Sequence, residues 1–97
     1  MLKELQASKL AGKPSEELIR LWQAEIERAI NRRWPGQRTQ PEEYYEDMTS
    51  DVMLVLLRTG LNCKDEFMQT ERQAMAWVST IIASAQINFI AREKQQR

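Results

Sequence analysis

The chain has no histidine and one cysteine, Cys63, in 97 residues. Without histidine it lacks the commonest zinc ligand and the commonest general base. A single thiol rules out an intrachain disulfide and fits a reducing compartment. Cys63 itself reads as a loop or semi-buried thiol without chemistry, since no imidazole is there to activate it. Glycine and proline are scarce too, at three each. With abundant Leu, Ala, Glu, Gln, Arg and Met, that balance favours helices over sheets. Neither sign of charge dominates: 14 basic and 14 acidic residues give a formal net charge of zero, so the global balance announces neither nucleic acid nor an anionic membrane. The opening MLKELQASKL holds no sustained apolar run of the signal-peptide kind, and no uninterrupted apolar span reaches bilayer length, so a cytoplasmic chain without a membrane partner is expected. No phosphate loop, metal-ligand spacing or nucleophile–base pair is present, so the expectation is a protein that is not an enzyme, with no cofactor, no metal and no small-molecule substrate.

What is present is helical periodicity. The length suits one domain, and the expected fold is all-α, a compact bundle of three to four helices. Residues 1–14 are an N-terminal extension or short helix, and residues 15–97 a single helical domain. In the first segment Leu2, Leu5 and Leu10 lie on about one face before Gly12 and Pro14 stop it. Ser15 is placed to cap a second helix running to about Trp34, with Glu16 and Glu17 in its first turn and Leu18, Leu21, Trp22, Ile26, Ala29, Ile30 and Trp34 as its buried stripe. Pro35-Gly36 terminates it. A third helix starts near Pro41, carries Tyr44, Tyr45, Met48, Val52, Val55, Leu56 and Thr59 at helical spacing, and ends at Gly60, which is placed for a left-handed cap. Phe67 and Met68 pin the next connection onto the bundle. Thr70 with Gln73 has capping-box spacing and opens a long last helix whose stripe is Ala74, Trp77, Val78, Ile81, Ile82, Ala85, Asn88 and Phe89.

Two of these helices carry a resemblance. EDMTSDVMLVLLR, residues 46–58, resembles the helix of bacterial sigma factors that commonly reads E-D-L-V-Q-E-V-F-L-R-L-W-R. AWVSTIIASAQINFIAREK, residues 76–94, is similar to the next helix of that family, A-W-L-Y-R-I-A-R-N-L-A-I-D-Y-L-R-R. ELIRLWQAEIERAINRRW fits the first helix of the same module. The resemblance is to region two of the extracytoplasmic-function group and spans roughly residues 15–97. It implies a transcription-initiation module that binds RNA polymerase core at the clamp helices of the largest subunit, through Asp47, Ser50 and Asp51 of the middle helix. Carboxylates held on a rigid helix suit a cationic partner. It also implies contact with the promoter −10 element, for which Gln86, Asn88, Arg92, Lys94 and Arg97 are the candidates. The chain departs from the family pattern at Ser84, Asn88 and Ala91, so this DNA contact is thin. Trp77 matches a structural tryptophan of the family and is expected in the core. The second DNA-reading domain of a sigma factor has no room here, which leaves an excised domain or a lone region-two-like protein. An alternative reading is a small helical oligomeric scaffold or adaptor without DNA binding, with Ala83, Ser84, Ala85 and Ala91 permitting close helix approach and Met48, Met53, Met68 or Met75 exposed.

Overall fold

The computed structural model describes residues 1–36 and 39–95. Among them are four α-helices, α1 (Leu2–Ala11), α2 (Glu16–Arg33), α3 (Glu42–Thr59) and α4 (Glu71–Gln95), with a 3₁₀ turn at Asp65–Phe67 and no strand. This is the all-α bundle that the composition and periodicity imply.

The helix boundaries follow from local chemistry. Gly12 adopts φ 78°, and its N–H donates to the Lys9 carbonyl while that of Lys13 donates to Ser8. A side chain is strained in that left-handed conformation, so glycine ends α1 there. The Ser15 hydroxyl accepts from the Leu18 N–H at 3.1 Å, the expected N-cap. The Ser15 N–H in turn donates to the Ser8 hydroxyl at 2.9 Å, so the end of α1 and the start of α2 share one hydrogen-bonded corner. At α4 the capping box forms as its spacing predicts: the Gln73 N–H donates to Thr70 Oγ1 and the Thr70 N–H to Gln73 Oε1, both at 3.1 Å.

Each helix buries one row. Leu18, Trp22, Ile26 and Ile30 of α2 recur every four residues, and Tyr45, Met48, Val52 and Leu56 of α3 meet Ala74, Val78, Ile82, Ala85 and Phe89 of α4. Fully burying one such large apolar side chain is worth about 1.5–3 kcal/mol, which makes these rows the main source of stability. Leu5 of α1 joins the same core. Leu10 does not share its face: five residues turn a helix by roughly 140°, and Leu10 is left 92% exposed. Ser8 is the inward neighbour of Leu5 instead.

Polar ties hold α1 in place. The Lys9 ammonium reaches the Cys63 carbonyl at 2.5 Å and the Asp65 carboxylate at 2.6 Å, Gln6 donates to the Met68 carbonyl, and the Met1 ammonium pairs with Glu4 and Glu71. The hydrogen bond with Asp65 is the chief reason that the Lys9 pKa is raised. In the connection that these bonds grip, Met68 and Cys63 are buried, whereas Phe67 stays exposed. Only half of the expected Phe67–Met68 anchor is used.

Two further expectations are corrected. Gly60 closes α3 with φ −62° and ψ −25°, a right-handed conformation rather than a left-handed cap. Its lack of a side chain serves a different purpose: a Cβ there would lie 2.7 Å from Cζ2 and Cη2 of Trp22 and 2.5 Å from the Leu56 carbonyl oxygen. The second correction concerns α4, which is long and apolar enough to cross a bilayer by length and composition. One row of it packs against α1, α2 and α3, and a third of its apolar window lies buried.

Candidate functional site

Helices α3 and α4 lie side by side and antiparallel, as successive contacts show: Gly60 meets Trp77, Met48 meets Gln86, Asp51 meets Arg92 and Tyr44 meets Phe89. At one end the indole N–H of Trp77 donates to the Gly60 carbonyl at 3.0 Å. Trp77 is half-buried, packed against the core rather than within it. At the other end Trp34, Tyr44, Tyr45 and Phe89 meet edge to face with ring centroids 5.1–6.3 Å apart. Such pairs contribute about 0.5–1.5 kcal/mol beyond their area, and this cluster fastens the end of α2 to the start of α3 and the last turns of α4.

That scaffold fixes the outer side of α3. Tyr45, Met48, Val52 and Leu56 take the inner side, so Asp47, Ser50, Leu54 and Arg58 fall on the opposite stripe, where all four are exposed. Asp51 stands at the edge of that stripe facing α4, with its side chain 27% exposed. Asp47, Ser50 and Asp51 border a shallow depression of about 320 Å³ whose far wall is Phe89, Arg92 and Glu93 of α4. Leu54, half exposed, lies at its rim and also borders the groove beyond. The three side chains named for polymerase contact therefore share one surface, with Leu54 at its edge.

The residues named for DNA contact are divided. Arg92 and Asn88 are exposed on the side of α4 toward α3. Arg92 Nη2 lies 2.5 Å from Asp51 Oδ2, and Arg92 Nε lies 3.4 Å from the Asn88 carbonyl. Lys94 is exposed in the last turn. Arg97 lies outside the described residues. Gln86 does not join this surface: it is 95% buried on the side of α4 toward α2, and its amide nitrogen lies 3.8 Å from the Met48 sulfur. Gln86 continues the four-residue row Ala74, Val78, Ile82, a regularity that marks it as an inward position despite its polarity.

The methionine argument for a scaffold also changes. Met48 and Met68 are buried core residues, and Met53 and Met75 are partly buried. Ala83, Ser84 and Ala91 are exposed, while Ala85 is not. Ser8, Gly60 and Glu25 carry structural weight that periodicity alone does not announce; Glu25 is a buried carboxylate paired with Arg28.

No protein-family model, curated protein or solved structure matches this chain.

Proposed function

We propose that this domain is an RNA polymerase-binding module of transcription initiation that resembles sigma region two and docks on a cationic helical partner through the outer face of α3. The observation that carries the reading is the placement of Asp47, Ser50 and Asp51 together on the outer side of α3, with half-exposed Leu54 at the rim and α4 as the brace. Carboxylates at an interface steer a cationic partner and set its register. The nucleic-acid contact in this reading belongs to Arg92, Asn88 and Lys94 on the neighbouring edge, with Arg92 as the principal phosphate ligand. Three candidate groups make a thin contact, so weak, salt-sensitive binding of single strands is expected, and polymerase docking is the larger part of the activity.

The test is capture of RNA polymerase core by the purified chain. Asp47→Arg with Ser50→Arg is a cleaner perturbation than reversing Asp51, because an arginine at 51 would also face Arg92. The double variant is expected to lose capture of the core while keeping its far-UV circular dichroism. Undiminished capture by that variant rejects the docking face.

A further inference from the structure

The Asp51–Arg92 pair joins the two halves of that surface. Asp51 is the carboxylate assigned to the protein partner and Arg92 the cation assigned to nucleic acid, yet in the free chain they satisfy each other across 41 residues of sequence. We infer that this pair is an exchangeable latch: a cationic partner that takes Asp51 releases Arg92 to bind a phosphate, so docking and nucleic-acid binding are positively coupled. The inference rests on the docking reading above and adds a mechanism of regulation to it.

The geometry suits exchange. Both side chains are partly open to solvent, Arg92 57% and Asp51 27%, so competing ions can approach without unfolding the bundle. Arg92 Nε lies 3.4 Å from the Asn88 carbonyl one turn back, a long and exposed contact. Until the latch opens, the Asp51 carboxylate occupies the side of the guanidinium that a phosphate would take, and its charge repels the phosphate as well. Exposed ion pairs are weak, with a typical strength equivalent to about a two- to five-fold change in an equilibrium constant. The coupling is bounded by that factor, and linkage makes it equal in both directions.

The test is a double-mutant cycle read by fluorescence anisotropy of a labelled single-stranded oligonucleotide, using the whole 97-residue chain. Asp51→Asn is nearly isosteric and partly exposed, and it removes one negative charge. Asp47→Asn removes the same charge one turn away, where no ion pair is formed among the described residues, and so reports the long-range effect alone. Asp51→Asn is expected to tighten binding about two- to five-fold more than Asp47→Asn does. In an Arg92→Ala background that excess disappears. Equal effects of the two asparagine variants overturn the latch, as does an excess that survives in Arg92→Ala, or a chain that binds no oligonucleotide in any form. The docking reading is judged separately by capture of the polymerase core. A chain that captures core but shows no cycle loses the latch alone, and one that shows the cycle but ignores core loses polymerase as the partner that opens it.

Discussion

Replacing Gly60 by alanine sets two effects of opposite sign against each other. At φ −62° and ψ −25° an alanine fits the backbone without strain, and restricting the unfolded chain at such a site stabilises by about 0.4–1 kcal/mol. Against this, the new methyl group would meet the Trp22 ring at 2.7 Å and the Leu56 carbonyl at 2.5 Å. Trp22 is fully buried, with core neighbours on its other sides, so neither it nor the backbone carbonyl can yield cheaply. Overpacking of this kind costs about 1–3 kcal/mol. If the backbone at 60 shifts to relieve the clash, the hydrogen bond from Trp77 to its carbonyl weakens as well, a further cost of about 0.5–1.5 kcal/mol. Overpacking wins, and Gly60→Ala is expected to lower the unfolding free energy by about 1–3 kcal/mol, read as a shift in the urea midpoint at unchanged m-value. Trp22→Phe removes the ring atoms in question together with an indole N–H that has no hydrogen-bond partner among the described residues. Combined with Gly60→Ala it should therefore destabilise by less than the sum of the two single changes, with a coupling of at least about 0.5 kcal/mol. A Gly60→Ala protein as stable as the parent, or strictly additive behaviour of the pair, refutes the close-approach argument.

Ser8→Ala leaves the partly buried Ser15 N–H without its acceptor; the expected cost is about 0.5–1.5 kcal/mol, measured by denaturant titration, with the loss of protection in hydrogen exchange concentrated where α1 meets α2. The Glu71 carboxyl is held below its ordinary pKa, first by the hydrogen bond with the Met1 ammonium and then by the Leu2 N–H. A depressed carboxylate pKa stabilises above the unfolded value and loses that contribution as pH falls through the folded value. The stability difference between the parent and Glu71→Gln should thus be present at neutral pH and vanish as the solution is acidified below the ordinary carboxylate range. Burial opposes protonation of the Met1 amine, but its hydrogen bonds with Glu71 and Glu4 outweigh this and raise its pKa. The same difference should therefore also shrink as pH rises through that raised value, and a pH-independent difference would contradict the contact.

Much of the local structure is written in short sequence signals. Ser15 and the Thr70–Gln73 pair set helix starts because hydroxyl and amide groups meet orphan backbone N–H groups within four residues. The outward placement of Asp47 and Ser50 follows from the spacing of Tyr45, Met48, Val52 and Leu56.

Tertiary packing decided the rest. Periodicity assigns each side chain an angle about its own helix axis but not the neighbour that fills that sector. Around α4 the expected stripe runs from Trp77 to Ile82, yet the buried sector is turned by roughly 40°, leaving Asn88 outside and taking Gln86 in, because α2 as well as α3 packs against this helix. Gly60 and Trp22, or Asp51 and Arg92, lie too far apart in sequence for any local rule to join them. Only the antiparallel alignment of the helices brings them together, so the close approach and the ion pair belong to the fold, while the caps and helix faces belong to the sequence.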